Sequence, residues 1–311
     1  MKNTRIMFMG TNDFSAAILK ALIDNHYNVI ACVSQPDKEV GRKRILQETE
    51  TKILAKEYNI PVFQPTKIRN DYEFVKELNP ELIITCAYGQ IVPQGLLDIP
   101  PLGSINVHAS LLPKLRGGAP IHHSLIDGLD ETGVTIMQMV DKMDAGEMYA
   151  KASTKILDSD DLGSLWDRLK VIGADLLIKN LDKYIDGSLI GEPQNEDEVT
   201  YAWNIKREEE HIDFNKSSRE VFNLIRGLSP FIGAYALLDG VSYKIYKTEI
   251  VENNDNLVPG SIILGNKSLM VKCKDNAIKI LDLQVSGKKR MDIKSFLNGT
   301  KKETLENKVF D

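Results

Sequence analysis

The sequence predicts an α/β protein: a Rossmann-like N-terminal domain on a mainly parallel sheet, then a small C-terminal β-barrel. Three observations carry that prediction. Up to Lys183, short apolar runs alternate with amphipathic segments, the pattern of a parallel sheet covered by helices on both faces. Beyond Pro230 the pattern changes to short β-like segments separated by Asp239-Gly240, Asn253-Asn254, Pro259-Gly260 and Gly265-Asn266. At that spacing about five or six strands suggest a small barrel or sandwich. Finally, 311 residues exceed what one hydrophobic core usually organises.

In chain order, the strand candidates of the first part are Arg5–Met9, Val29–Val33, Leu82–Ala87, Ser104–His108 and Val134–Met139. Between them Phe14–Asp24, Glu48–Tyr58, Tyr72–Leu78 and Ala119–Asp127 carry helical periodicity. Asp161–Lys183 reads as one long helix or two short ones. Gly187–Asp197 is polar and broken by Gly191 and Pro193, as a linker would be. Ser217–Arg226 reads as a helix capped by Ser217 or Ser218 with Glu220 in its first turn. The expected division is a domain over 1–188, a linker over 189–205 and the barrel over 206–311.

Composition narrows the class. Hydrophobic residues at 42% and charged residues at 27% describe an ordinary globular protein. No apolar stretch reaches the ~18 residues of a membrane span, and Gly10 and Asp13 end the first apolar run too soon for a signal-peptide core. Cys32, Cys86 and Cys273 are an odd number without Cys-x-x-Cys spacing, so buried free thiols in a reducing, cytoplasmic compartment are expected rather than a disulfide framework or a zinc site. From Lys206 onward there are 18 Lys and Arg against 15 Asp and Glu, or +3, which leaves 21 against 29, or −8, for the first part. The C-terminal part is therefore the better candidate for a polyanionic partner.

The chemistry centres on Asn106 and His108. In a strand over Ser104–His108 a period of two places both on one face, with Ile105 and Val107 on the other, and Pro113 ends the strand pattern soon after. An uncharged amide donor suits a carbonyl oxygen on which negative charge develops. Asp144, just after Val134–Met139, offers a carboxylate that favours a charged imidazole and orients it, as a base accepting a proton from an amine requires. Asp144-Ala145-Gly146 is equally an ordinary turn, Asp141 competes for the role, and His122 and His123 are rival bases in a candidate helix. There is no Gly-x-Ser-x-Gly nucleophile motif, and no metal is expected. Gly10-Thr-Asn-Asp-Phe-Ser lacks the Gly-x-Gly-x-x-Gly series, so a capped strand-to-helix turn explains it without a dinucleotide. Arg42, Lys43 and Arg44 follow Gly41 in a loop without periodicity, where cations can meet phosphates or simply be solvated.

With these residues in view the chain resembles the folate-dependent formyltransferases, on their methionyl-tRNA branch. His108-Ala-Ser-Leu-Leu-Pro113 with Arg116-Gly117, preceded by Asn106 and followed by Met143-Asp-Ala-Gly-Glu-Met148, carries the resemblance. Gln35-Pro-Asp37, Gly117-Gly-Ala-Pro120, Glu131–Met139 and Asn223-Leu-Ile-Arg-Gly-Leu-Ser-Pro230 are similar to that branch rather than to its purine-pathway relatives. Gly118 and Glu147 depart from the more frequent alanine and aspartate. The resemblance implies formyl transfer from 10-formyltetrahydrofolate to the α-amine of initiator methionyl-tRNA. It gives Asn106, His108 and Asp144 the chemistry. It also implies a folate site at Gln90, Ile91, Val92 and Leu102, the turn Ser110-Leu111-Leu112-Pro113, and Val140 and Asp141. Arg42, Lys43 and Arg44 would touch tRNA, and the C-terminal barrel would be of the oligonucleotide-binding (OB-like) type. A monomer is expected. A sugar-nucleotide formyltransferase and a non-enzymatic RNA binder are the rival readings.

Overall fold

The computed structural model describes every residue except 42 and 43, and resolves two compact units. Unit 1 comprises Met1–Pro120, Glu131–Thr154 and Trp166–Trp203; unit 2 comprises Ile121–Asp130, Lys155–Leu165 and Asn204–Asp311. The stretch expected as a linker thus divides, its residues 189–203 clustering with unit 1.

Unit 1 begins with strand β1 (Ile6–Gly10), wholly buried, and helix α1 (Asp13–Asp24). The turn between them is a cap: Asn12 Oδ1 accepts from Ser15 N at 3.1 Å, and Asp13 in the first turn complements the helix dipole. Next come β2 (Val29–Val33), β3 (Lys38–Val40), β4 (Ile45–Gln47), α2 (Glu50–Glu57), β5 (Val62–Phe63), α3 (Glu73–Leu78), β6 (Leu82–Cys86), α4 (Gln94–Leu97) and β7 (Ser104–His108). They are followed by β8 (Glu131–Gln138), β9 (Met148–Lys155) and α6 (Leu162–Ile185), a single helix that clusters with unit 1 from Trp166 onward; α5 (Pro120–Ile126) clusters with unit 2 from Ile121 onward. The seven-stranded sheet has the order β5-β2-β1-β6-β7-β8-β9. β1, β2, β5, β6 and β7 pair in parallel, as their unbroken apolar runs predict.

Two details depart from the sequence reading. β8 is antiparallel to β7, with Asn106 opposite Met137 and His108 opposite Thr135. The loop after β8 therefore does not leave from the carboxyl ends of the parallel strands. The basic segment after Ser34 is not an irregular loop, because Lys38–Val40 and Ile45–Gln47 form an antiparallel ladder in which all six residues are exposed. Arg42 and Lys43 lie outside the described residues. Arg44, 82% exposed along its side chain, lies 3.7 Å from Glu39.

Unit 2 contains α7 (Ser218–Leu228), β10 (Ala234–Leu238), β11 (Val241–Val251), β12 (Ile262–Gly265), β13 (Ser268–Lys272), β14 (Ala277–Val285), β15 (Met291–Asp292) and α8 (Ile293–Asn298). Ser217 caps α7 and Glu220 returns the bond, a reciprocal capping box. The sheet order is β10-β11-β14-β13-β12, with β15 on β14 and every pairing antiparallel. Residues 308–311 join its two edges. Ile262 N donates to Lys308 O and Phe310 N to Gly260 O, both at 2.9 Å on the β12 side, and Asp311 N donates to Leu237 O at 3.1 Å on β10. Both edges are thus occupied, the condition a small barrel needs. Phe214, Val271, Ile278 and Phe310 lie in its core.

All three cysteines are buried and free, and burial pushes each thiol up to about 12. Among the described residues no helix is long and apolar enough to cross a membrane.

Candidate functional site

Gly173 of α6 leaves room for Val107 and Val134, so this helix covers the Val107 face of β7 and Asn106 and His108 point to the other face. On that second face Thr85 of β6, Asn106 of β7 and Met137 of β8 lie side by side. The Thr85 hydroxyl donates to Asn106 Oδ1 at 2.8 Å, which turns the amide nitrogen outward. Among the described residues Asn106 Nδ2 has no hydrogen-bond partner, so it is left as the donor of this face.

His108 is 5% exposed. Its Nε2 lies 3.0 Å from Leu115 O, and a carbonyl can only accept, so Nε2 carries a hydrogen. Nδ1 is left as the nitrogen whose protonation can change, and it stands 3.8 Å from Asp144 Oδ2. That same oxygen accepts from Gly117 N at 2.8 Å. Asp144 arrives on the turn after β8, which folds back over this face; Met139, just past the strand end, brings its sulfur within 3.0 Å of the Thr85 hydroxyl. Asp144 sits in the left-handed region at φ 49°. Gly146 follows for a steric reason: a Cβ there would stand 2.0 Å from Gln138 O. Asp144 rather than Asp141 meets the imidazole, since Asp141 is exposed. His122 does not compete, because burial and then His123 push its imidazole down to about 4.

The segment after β7 is held rigidly. Thr135 Oγ1 donates to Ser110 O at 2.7 Å and accepts from Leu112 N at 3.2 Å. The Ser110 hydroxyl donates to Lys114 O, and the Leu112-Pro113 peptide bond is cis. Gly117 at φ 126° packs a backbone against Ala202 that any Cβ would strike, 2.5 Å from Ala202 O. Leu112, Met137 and Met148 form a small apolar cluster beside these groups.

The expected folate residues do not all gather here. Val92 is buried and Ile91 is 73% exposed on the loop after β6. The Gln90 side chain is committed to the segment after β5: Oε1 accepts from Ile68 N at 2.8 Å and Nε2 donates to Pro65 O at 3.2 Å. Leu102 precedes the amino end of β7, where its N–H donates to Glu81 O at 2.9 Å and its carbonyl accepts from the Tyr184 hydroxyl of α6 at 2.7 Å. Thr85, Met137 and Thr135 were missed in turn. A hydroxyl inside the apolar run Leu82–Cys86, on the parity of Asn106, was the available signal for Thr85.

Replacing Thr85 with valine keeps shape but frees the Asn106 amide to rotate. Loss of one hydrogen bond worth about 1 kcal/mol predicts a roughly fivefold fall in turnover with little change in melting temperature. Steady-state kinetics beside a thermal melt check this.

Comparisons with known proteins place the chain. The family model described as formyl transferase matches residues 4–181, and the one described as formyl transferase, C-terminal domain, matches 204–301. The methionyl-tRNA formyltransferases of Staphylococcus aureus strains MW2 and JH1 are each 47% identical over 310 residues, covering 98% of this chain and 99% of theirs. Among solved structures, the N-formyltransferase from Helicobacter canadensis, in complex with folinic acid and dTDP-3-aminofucose, superposes with TM-score 0.67 at 20% identity, over 89% of this chain and 98% of that one. HypX from Aquifex aeolicus, in complex with tetrahydrofolic acid, gives 0.67 at 15% identity, over 95% of this chain and 47% of that one. At such identities these structures share the fold.

Proposed function

The chain belongs to the formyl transferase family, and from that premise we propose that it transfers the formyl group of 10-formyltetrahydrofolate to the α-amine of initiator methionyl-tRNA. The observation that carries the reading is the full-length similarity to enzymes of that name, in a chain whose Asn106, His108 and Asp144 share one face.

The folate co-substrate supplies an activated formyl group. Asn106 Nδ2 donates to the formyl oxygen as charge develops there, a contact that counts most in the transition state. The methionyl amine attacks the formyl carbon as a neutral nitrogen and must then lose a proton. His108 Nδ1 takes it, because Nε2 is held by Leu115 O, and Asp144 stabilises the imidazolium. The proton then passes to the departing nitrogen as the carbon–nitrogen bond to folate breaks. A distance of 3.8 Å between imidazole and carboxylate leaves room for the pair to tighten with both substrates in place.

The fit to a pterin rests on backbone. Among the described residues, no backbone group of Gln90, Ile91, Val92, Val140 or Asp141 pairs with another backbone group, which leaves donors and acceptors for a flat polar ring edge. Ser110, Leu111, Leu112 and Pro113 shape the wall between that edge and His108. Gln90 contributes through its backbone, since its amide is engaged elsewhere.

Unit 2 and the hairpin of β3 and β4 are assigned to tRNA. The excess of +3 from Lys206 onward and the run Arg42-Lys43-Arg44 support phosphate contacts. The protein is assigned to the cytoplasm as a monomer, in keeping with its buried free thiols.

The test is direct. Purified protein, 10-formyltetrahydrofolate and methionyl initiator tRNA should yield formylmethionyl-tRNA; transfer to an amino-sugar nucleotide instead would overturn the acceptor. Neutral replacement of Arg42, Lys43 and Arg44 together should raise KM for tRNA about tenfold or more at physiological salt and leave folate binding intact. Equal KM values would remove the hairpin from the tRNA site.

A further inference from the structure

Gln194 stands in the strap of residues 189–203, and every polar valence of its side chain is used. Oε1 accepts from Arg116 Nε at 3.0 Å and Arg116 Nη2 at 2.8 Å. Nε2 donates to Asp144 O at 2.7 Å and to Gly146 O at 2.8 Å. Its anchor is a fully buried arginine, whose Nη2 also reaches Glu196 Oε1 at 2.8 Å. The other Glu196 oxygen accepts from Lys142 Nζ at 2.7 Å, on the same turn as Asp144. Arg116 and then Lys142 hold the Glu196 carboxyl down at about 2, so this clamp stays charged across any working pH.

The backbone on either side of Arg116 touches the reacting groups. Leu115 O meets His108 Nε2, and Gly117 N donates to Asp144 Oδ2. The segment 115–117 is itself pinned by Thr200 and Ala202 of the strap: Leu115 N donates to Thr200 Oγ1 and Arg116 N to Thr200 O, each at 2.9 Å, and Ala202 N donates to Arg116 O at 2.7 Å. Strap, arginine and turn are therefore one hydrogen-bonded body around the imidazole.

We propose that Gln194 is a positioning residue for formyl transfer, which locks the Asp144 turn so that its carboxylate faces His108 Nδ1. The inference rests on the function proposed above. Only an amide does this: it accepts twice from a guanidinium and donates twice to carbonyls within one planar group. Those carbonyls flank the residues that must hold Asp144 at positive φ, a conformation an aspartate tolerates but does not favour. Glutamate would set a carboxylate against two carbonyl oxygens, and methionine would leave Arg116 Nε and both carbonyls unpaired and Arg116 Nη2 with Glu196 alone.

The experiment compares the native chain, Gln194→Met and Gln194→Glu, each alone and with Asp144→Ala, in the methionyl-tRNA formylation assay. Both single variants should lower kcat about 10- to 100-fold, since misplacement by about 1 Å can cost that much. KM for folate and for tRNA should stay as in the native chain, and the melting temperature should fall by the same amount with and without Asp144, so that only the loss of kcat depends on that carboxylate. In the Asp144→Ala background the same substitutions should cost less than about twofold, because a residue acting through Asp144 has nothing left to place. Undiminished kcat in the single variants, or an equal loss with Asp144 absent, overturns the assignment. Should the native chain itself not formylate methionyl-tRNA, the proposed function fails and the inference falls with it.

Discussion

Replacing His108 with alanine is expected to lower kcat for formyl transfer by about 10²- to 10⁴-fold, the usual contribution of a positioned general base. KM for the tRNA should not change, because the imidazole is 5% exposed and so is withdrawn from any phosphate at the surface. The effect should exceed that of Asp144→Asn, which removes the negative charge facing the imidazolium but keeps an oxygen for Gly117 N to bind. His108→Gln should fare no better than alanine, since glutamine can bond Leu115 O but cannot carry a proton to the departing nitrogen. Asn106→Ala should cost about 10²–10³-fold by a separate route, loss of the donor to the formyl oxygen. Single-turnover formylation separates these losses from changes in binding. A His108→Ala protein as fast as the native chain would remove proton transfer by this residue from the mechanism.

That chemistry was largely legible in the sequence because it depends on local rules. The period of two in Ser104–His108 placed Asn106 and His108 together, and the strand has the bounds expected of it. The helix expected over Ser217–Arg226, with Ser217 or Ser218 as cap and Glu220 in its first turn, was equally legible and runs over Ser218–Leu228 with Ser217 as the cap, since caps depend on residues three apart. What could not be read were relations between distant segments. Asp144 was paired with His108 from the sequence, but its route was not legible: β8 runs antiparallel, so the turn after it has to fold back over the face to reach the imidazole, and an apolar run such as Val134–Met139 carries no sign of its direction. Polar composition with Gly191 and Pro193 made 187–197 look like a connector. Its polarity has another cause, since Gln194 and Glu196 are occupied with a buried arginine some eighty residues earlier in the chain.

The second large effect concerns unit 2. Phe310 is 4% exposed and lies 5.9 Å from Phe214 and 5.4 Å from Tyr243, centroid to centroid. Phe310→Ala should destabilise this unit by about 3–5 kcal/mol, the range for emptying an aromatic site in a core. More than the ring is at stake, because its backbone N–H bonds Gly260 O while Asp311 bonds Leu237 through both backbone and carboxylate, the latter at 2.9 Å. A ring that leaves the core loosens the one segment that holds both β10 and β12, and those edges then open together rather than singly. Hydrogen exchange reads this directly: amides of Ile262 and of the Leu237 edge should lose protection in parallel. Unit 1 amides, such as those of the wholly buried β1, should exchange as before. Val309→Ala is the control, since that side chain is 46% exposed and its loss should cost less than about 0.5 kcal/mol. If tRNA phosphates are read by unit 2, Phe310→Ala must also weaken tRNA binding as temperature rises through the opening of that unit, while Asn106, His108 and Asp144 keep their geometry. A rise in KM for tRNA at constant folate affinity is the expected signature, and unchanged KM in a protein whose β10 and β12 amides have lost protection would detach unit 2 from tRNA recognition.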